Sequence, residues 1–131
     1  MTTVALDTNV LTLLLRGDTA QIRQTLDRID TFYVPWAVYG ELLAGTHAGS
    51  NPAKYIPLLE DFLNQSFIEL SAITASDTVE HYAHIFATLK KNGTPVSPND
   101  LWIAAECAKT GLPLYTLDKD FGAIPHILLF S

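Results

Sequence analysis

The sequence predicts an α/β fold, a sandwich in which helices cover a mainly parallel central sheet. Short apolar runs alternate with stretches of helical periodicity along the whole chain. Several of these runs end in a polar residue just before a helix begins, which is typical of buried parallel strands. This alternation favours one layered unit, and 131 residues suffice to build its core. We therefore expect a single domain over residues 1–131.

The first third of the chain is predicted to hold two strands and two helices. Thr2–Leu6 is a short apolar run and forms the first predicted strand. A helix follows at Leu11–Leu15 and is expected to end at Gly17, because glycine commonly stops helices. Apolar residues at helical spacing indicate a second helix over Thr19–Ile29, before a second strand at Phe32–Val34.

Prolines mark the middle of the chain. Pro35 ends the second strand and starts a helix that we expect to close around Gly45. Another helix is expected to begin at Asn51 and to kink or restart at Pro57, because proline removes a helical hydrogen bond. A third strand is predicted at Phe67–Leu70.

Capping signals mark the next two helices. Thr74 and Asp77 have the spacing of a capping box, and the helix they open is expected to end at Gly93. The apolar face of this helix is predicted to comprise Val79, Tyr82, Phe86 and Leu89. Ser97 suits the N-cap of the following helix, with Pro98 at its first position.

The last segment is predicted to return to the sheet. Pro113–Thr116 forms the fourth strand, a turn follows at Asp118–Phe121, and a last apolar run spans Ile127–Phe130. We expect Phe121 to point inward and to anchor the turn that precedes it.

Composition excludes several classes of protein. The net charge of −6 leaves no broad basic face for gripping nucleic acid. The single cysteine, Cys107, allows no internal disulfide, and its helical spacing places it in the core. No apolar run approaches the roughly 20 residues of a membrane helix, and no secretory signal precedes Asp7. We therefore expect a soluble, cytoplasmic protein.

Acidic residues from four parts of the chain are predicted to meet at one edge of the sheet. Asp7 follows the first strand, and both Asp118 and Asp120 follow the fourth. Asp100 lies in the first turn of one helix, and Glu41 lies among small residues in another. Because sites in parallel sheets form beyond the carboxyl ends of the strands, these side chains can converge there.

Clustered carboxylates predict a bound cation, since they repel one another unless something positive lies between them. A hard divalent ion such as Mg²⁺ or Mn²⁺ suits a set of oxygen ligands. Hydroxyl and amide groups close to the acids are expected to orient the ligands or their waters. These supporting residues are Thr8, Asn9, Asn99 and Thr116.

Four stretches of the chain together resemble the motifs of PIN-domain ribonucleases. They are Leu6–Asn9, Tyr39–Leu42, Asn99–Ala105 and Thr116–Phe121. Their order and spacing are similar to those of the VapC toxins of bacterial and archaeal toxin–antitoxin pairs. The resemblance covers nearly the whole chain and implies a PIN-like three-layer α/β/α sandwich.

This resemblance also implies an activity, a cofactor and partners. The expected activity is metal-dependent endoribonuclease cleavage of RNA, with Asp7, Glu41, Asp100 and Asp118 as the catalytic acids. Asp7, Asp100 and Asp118 are the expected ligands of Mg²⁺ or Mn²⁺, with Glu41 and Asp120 as further candidates. The expected partners are the RNA substrate, a cognate antitoxin and a second copy of the chain, with no membrane.

Each of these residues also has a structural explanation. Asp7 and Asp100 suit helix caps, Asp118 suits a turn, and Glu41 suits a solvated helix face. Outside the motifs, Lys90 and its neighbour are interpreted as a solvated helix end that suits the helix dipole, with RNA contact as the lesser alternative.

The histidines are interpreted as surface residues. His81 and His84 are three positions apart on a helix, and such a pair can bind a soft metal. Because Tyr82 belongs to the predicted apolar face, both histidines are expected to point away from the core. His47 and His126 have no partner at ligand spacing in the sequence.

Three other functions remain open at this point. A PIN-like domain that only binds RNA or protein would keep the same motifs. A signalling receiver domain needs an acceptor aspartate after the third strand, where Leu70 is followed by Ser71. A phosphatase with an aspartate nucleophile needs a second acid two residues after Asp7, where this chain has Asn9. Metal titration followed by an RNA cleavage assay distinguishes these functions.

Overall fold

The computed structural model describes residues 1–131 and has a four-stranded, all-parallel sheet with helices between the strands. The strands are β1 (Thr3–Leu6), β2 (Thr31–Val34), β3 (Ile68–Leu70) and β4 (Leu114–Tyr115). The helices are α1 (Thr8–Arg16), α2 (Arg23–Leu26), α3 (Trp36–Ala48), α4 (Pro52–Leu63), α5 (Ala75–Asn92) and α6 (Pro98–Thr110). A short 3₁₀ helix spans Lys119–Ala123.

The strand order β3-β2-β1-β4 determines where the helices lie. β2 is added on one side of β1, and β3 is added beyond β2 on that same side. The chain then crosses back over the sheet, and β4 pairs with the other side of β1. Because parallel crossovers are right-handed, α1 to α4 cover one face of the sheet, and α5 and α6 cover the other. The predicted three-layer α/β/α sandwich is confirmed. The order also differs from the 2-1-3-4-5 order of receiver domains, which excludes that alternative.

β1 is one of the two inner strands of the sheet, and its last three residues are fully buried. Val4, Ala5 and Leu6 are fully buried, because β2 and β4 pair with β1 on either side and helices cover both faces. Just beyond β1, the amide of Asp7 donates to the carbonyl of Tyr115 at 3.3 Å. This bond keeps the ends of β1 and β4 side by side, which brings the residues that follow the two strands together.

The helix ends follow the capping residues that the sequence predicted. Ser97 Oγ accepts the amide of Asp100 at 3.2 Å, and Pro98 is the first residue of α6. Thr74 and Asp77 form a complete capping box at the start of α5. Gly93 ends α5 with φ +68°, a left-handed conformation that glycine adopts without strain.

The boundaries of two predicted helices were wrong, and the restart that was one alternative at Pro57 does not occur. Only Arg23–Leu26 is α-helical within the predicted Thr19–Ile29 helix, because the residues on either side form turns whose amides donate three residues back, as from Ile22 to Thr19 and from Ile29 to Leu26. α3 continues beyond Gly45 to Ala48, since this glycine keeps a right-handed backbone. α4 neither stops nor restarts at Pro57. Pro57 is exposed, so water can satisfy the carbonyl that loses its helical partner.

The predicted apolar face of α5 was also partly wrong. The buried residues of α5 are Thr78, Ile85 and Leu89, whereas Val79 and Phe86 are 49% and 47% exposed. The predicted face and the buried face both have helical spacing. The position of α6 decides which of the two faces is covered. The last apolar run, Ile127–Phe130, forms no strand and contributes only one bridge, from Leu129 to Leu114.

The remaining expectations about the core concern Cys107 and the membrane. Cys107 is buried, and burial together with the nearby carboxyl of Glu106 raises the pKa of its thiol to about 12. The thiol therefore stays protonated and acts as a small apolar group. None of the helices combines the length and the apolar character that crossing a bilayer requires.

Candidate active site

A small polar pocket lies where β1 and β4 end and α6 begins. Its volume is about 60 Å³. The lining residues are Asp7, Thr8, Asn9, Glu41, Asp100, Ile103, Asp118 and Phe121. All four predicted acids therefore reach the same pocket from four separate segments of the chain.

Asp7 is the most deeply buried of these acids, with 3% of its surface exposed. Its Oδ1 accepts the amide of Val10 at 2.9 Å, which caps α1, and its Oδ2 accepts the hydroxyl of Thr116. Burial raises the pKa of Asp7, and the charges of Asp118 and Glu41 raise it further, while its two hydrogen bonds oppose the rise. The carboxyl group is thus both held in place and destabilised as an anion.

Thr116 joins two of the acids. Its hydroxyl donates to Asp7 and accepts the amide of Asp118 at 3.0 Å. A threonine hydroxyl can do both at once, since it carries one donor and two acceptor positions. Thr116 therefore fixes the end of β4 against the end of β1.

Thr8 positions the third acid. Its hydroxyl donates to Glu41 Oε1 at 3.0 Å and so links α1 to α3 across the pocket. Glu41 is half-buried, and its Oε2 has no donor from the protein. This free oxygen remains available to a ligand in the pocket.

Asp100 is half-buried in the first turn of α6. Burial raises the pKa of its carboxyl most, and the negative charges of Asp118, Glu41 and Asp7 add to the rise, while a hydrogen bond from Ser97 lowers it. Asp100 is therefore harder to ionise than a solvated aspartate, and burial is the main reason.

Asp118 and Asp120 have different surroundings, although they are two residues apart. Asp118 lines the pocket, and its Oδ1 accepts the amide of Asp120 at 2.9 Å, which caps the 3₁₀ helix. Asp120 is exposed and does not line the pocket. Phe121 is buried and anchors this turn, as the sequence predicted. Of the two predicted amide groups, Asn9 lines the pocket, whereas Asn99 is exposed outside it.

No basic side chain neutralises these four carboxylates. The only ion pair in the protein joins His84 and Glu80, both exposed, on the surface of α5. The donor set is thus all oxygen, negatively charged and unpaired, which fits a hard divalent cation. As the side chains stand, no three acids lie at the spacing of ligands around one ion. The fit therefore depends on the charge and chemistry of the donors.

The three distal histidines lie in a different place. His81, His84 and His126 line a cavity of about 280 Å³ together with Ile85 and Ala108, and it shares no lining residue with the acid pocket. The proximity of His126 to the other two could not be inferred from the sequence. His84 is exposed, as expected, whereas His81 is half-buried.

One buried acid received no role from the sequence. Glu106 of α6 is fully buried and accepts hydrogen bonds from Tyr33 and from the amide of Trp36. The available signal was its position between the buried apolar residues of α6, where a solvated charge would be out of place.

Burial of Asp100, together with the charges around it, predicts how the stability of the fold depends on pH. Because the folded state raises the pKa of Asp100, ionising this group disfavours folding. The protonated Asp100 adds to the free energy of unfolding at low pH. The wild type should lose this added stability as the pH rises from the ordinary aspartate pKa, about 3.9, through the raised pKa of the folded state. Asp100→Asn does not titrate, so in chelator it should unfold at higher urea than the wild type at pH 7. Asp120→Asn is the control, because Asp120 is exposed and lies outside the pocket, and it should change the urea midpoint little.

Urea titrations at pH 7 and at about pH 3.5 check this sign. The difference between Asp100→Asn and the wild type should disappear at the lower pH. A variant less stable than the wild type at pH 7 would mean that Asp100 serves mainly as a helix cap.

Comparison with known proteins identifies the family. The family model for the PIN domain matches residues 4–127. Ribonuclease VapC5 of Mycobacterium tuberculosis is 30% identical over 122 residues, which are 91% of this chain and 85% of that relative.

Two solved structures have the same fold. A VapBC2 structure from Rickettsia felis, bound to a DNA fragment from its promoter, matches with a TM-score of 0.83 and 22% identity. The match covers 97% of this chain and 96% of that one. VapBC-5 of M. tuberculosis, a member of the VapBC family of toxin–antitoxin systems, matches with a TM-score of 0.68 and 28% identity over 94% of this chain and 90% of that one. The chain therefore belongs to the PIN domain family.

Proposed function

We propose that this chain is a metal-dependent endoribonuclease and the toxin of a toxin–antitoxin pair, with residues 1–131 as one domain. The observation that carries the proposal is the convergence of Asp7, Glu41, Asp100 and Asp118 on one pocket without a basic partner. The relationship to ribonuclease VapC5, at 30% identity, supports RNA as the substrate.

Mg²⁺ or Mn²⁺ is the proposed cofactor, and the four pocket acids would hold it. When bound, such an ion lowers the pKa of a coordinated water and offsets the charge that develops on the phosphate oxygens. Asp7 and Asp118 are the most constrained of the acids, because the hydroxyl of Thr116 bonds to both residues. Glu41 Oε2 and Asp118 Oδ2 have no protein donor and are free to act as ligands.

The chain's own residues contribute a fixed arrangement of charge. Thr8, Thr116 and the amide of Val10 hold the carboxylates before any substrate arrives. Groups that are held in advance do not have to reorganise during the reaction, which is a large part of how polar sites accelerate it. With a net charge of −6, the chain has no broad basic surface for RNA, and a cation held by the pocket acids would supply the positive charge that a phosphate group needs there.

The proposed partner is an antitoxin that covers the acidic pocket. A basic side chain, arginine in particular, would pair with the carboxylates and compete with the metal. The VapBC-5 structure belongs to a toxin–antitoxin system and supports a partner of this kind. A second copy of the chain is the other proposed partner.

The test of the proposed function is an RNA cleavage assay with purified protein. Single-stranded or looped RNA should be cut with Mg²⁺ or Mn²⁺, and cleavage should stop in excess chelator and return when metal is restored. Robust cleavage in excess chelator would refute the metal-dependent mechanism. Binding of RNA without any cleavage under all metal conditions would favour the alternative of a PIN-like binding domain.

The toxin role has a separate test in cells. Expression of the soluble chain without a partner gene should arrest growth, whereas Asp7→Asn expressed to the same level should not. Normal growth at a high level of soluble wild-type protein would contradict the toxin role and leave the nuclease activity to be judged by the cleavage assay.

A further inference from the structure

Glu106 is a buried acid that lies outside the pocket and takes no part in the proposed chemistry. It is fully buried in α6, six positions after Asp100. Its Oε1 accepts the amide of Trp36 at 3.0 Å, and its Oε2 accepts the hydroxyl of Tyr33. Since a carboxyl group is costly to bury unless it is hydrogen-bonded, both donors are needed at this place.

The amide of Trp36 is the first N–H group of α3, a helix end that lacks a cap of its own. Pro35 stands at the N-cap position and makes no side-chain hydrogen bond, and the first turn of α3 contains no acid. The free N–H groups at the start of a helix attract a carboxyl group, because they carry partial positive charge. Glu106 thus caps α3 from a different helix.

A second contact joins the same two helices. The rings of Trp36 and Trp102 lie with their centroids 5.4 Å apart, and Trp102 belongs to α6. Tyr33, the other donor, is the residue of β2 two places before Pro35. Burial and the bond to Glu106 raise the pKa of Tyr33, so its hydroxyl stays protonated and keeps donating.

The two helices that Glu106 joins each carry an acid of the pocket. Glu41 lies five residues after Trp36 on α3, and Asp100 lies six residues before Glu106 on α6. At about 1.5 Å of rise per residue, both carboxylates are roughly 8–9 Å along their helices from this junction. A shift of α3 on α6 would therefore change the separation between Glu41 and Asp100.

We infer that Glu106 is a positioning residue, which seats the start of α3 on α6 and thereby sets the spacing of Glu41 and Asp100 for the cation. The inference rests on the proposed function for its effect on metal binding. Its effect on the packing of α3 against α6 is independent of that function.

The test compares three substitutions with a control. Glu106→Met keeps the volume and removes both hydrogen bonds. Glu106→Gln keeps them, because its amide oxygen can accept from Trp36 and its amide nitrogen can donate to the hydroxyl of Tyr33. Tyr33→Phe removes the hydrogen bond from the hydroxyl to Glu106 and leaves the bond from the amide of Trp36, which caps α3. Thr78→Val is the control, since Thr78 is also fully buried and bonds only to Ala75 of its own helix.

Three measurements are made on each full-length variant. Near-ultraviolet circular dichroism reports the packing of α3 on α6, because Trp36 and Trp102 are the only two tryptophans of the chain. Calorimetry gives the Kd for Mn²⁺, and urea titration gives the free energy of unfolding. A purely structural role would change the free energy of unfolding and leave the Kd of the folded protein unchanged.

We expect Glu106→Met to alter the tryptophan signal and to weaken Mn²⁺ binding by about 10-fold or more, as is usual for residues that support metal ligands. Glu106→Gln and Thr78→Val should bind Mn²⁺ as the wild type does. The Mn²⁺ affinity of Tyr33→Phe should lie between those of the wild type and Glu106→Met. If Glu106→Met does not fold, a weakened Mn²⁺ affinity in Tyr33→Phe with a normal one in Glu106→Gln still supports the inference.

Two results would overturn it. One is a folded Glu106→Met variant whose tryptophan signal and Mn²⁺ affinity both equal those of the wild type. If Glu106→Met cannot be obtained, the same result in Tyr33→Phe counts. The other is damage by Glu106→Gln equal to that by Glu106→Met. If the wild type itself binds no Mn²⁺, the proposed function fails, and the tryptophan signal alone decides whether Glu106 seats α3.

Discussion

Asp7→Asn is expected to lower RNA cleavage by about 10²- to 10³-fold, the scale on which removal of a single charge-stabilising group slows an enzyme. The substitution keeps the shape of the side chain and the oxygen that accepts the amide of Val10, so α1 stays capped. What it removes is the buried negative charge at the bottom of the pocket. Cleavage rates at several Mg²⁺ concentrations, together with urea titrations, measure the two effects separately.

A second capping aspartate supplies the control for this experiment. Asp77 takes part in the capping box of α5, where its carboxylate accepts the amide of Thr74, but it is exposed and lies outside the pocket. Asp77→Asn should cost some stability and leave cleavage near the wild-type rate. If Asp7→Asn is equally active when folded, Asp7 is only a cap and the proposed metal site loses its central ligand.

Asp118→Asn should abolish most metal binding and cleavage, whereas Asp120→Asn should leave both largely intact. The two residues are neighbours in a turn, but only Asp118 lines the pocket and is joined to Asp7 through Thr116. Asn at position 118 can still accept the amide of Asp120, which preserves the start of the 3₁₀ helix. A supporting role for Asp120 would cost at most about 10- to 100-fold.

Calorimetric Mn²⁺ titrations of both variants check this order. Loss of Mn²⁺ binding in Asp120→Asn with normal binding in Asp118→Asn would reverse the assignment. Equal loss in both would mean that the turn rearranges around the ion and that both carboxylates bind it.

Much of the site could be predicted because its residues lie directly after strand ends or at helix starts, which local sequence patterns reveal. Asp7 follows an apolar strand, and Asp100 follows a Ser-Pro helix start, so both positions can be inferred without knowledge of the tertiary contacts. The difference between Asp118 and Asp120 was also accessible, because buried Phe121 fixes how the turn enters the 3₁₀ helix. The resemblance to PIN-domain ribonucleases joined these separate positions into one site.

What could not be predicted depends on packing between distant segments. The buried face of α5 is chosen by α6, and periodicity alone cannot distinguish Ile85 from Phe86 as the residue that is covered. The apolar neighbours of Glu106 in α6 indicated that it is buried, but its role was not predictable, because its donor Tyr33 lies 73 positions earlier in the chain. The extent of α3 beyond Gly45 also depends on tertiary support, because glycine weakens a helix but does not end it unless its φ is positive.

We propose that the four pocket carboxylates form one divalent cation site. Calorimetric titration of Mn²⁺ can compare the wild type with a variant in which Asp7, Asp100 and Asp118 are changed to Asn and Glu41 to Gln. We expect saturable Mn²⁺ binding by the wild type, competed by Mg²⁺, and none by the folded fourfold variant. Equal Mn²⁺ binding by the two proteins, or no binding by the wild type, would contradict the claim.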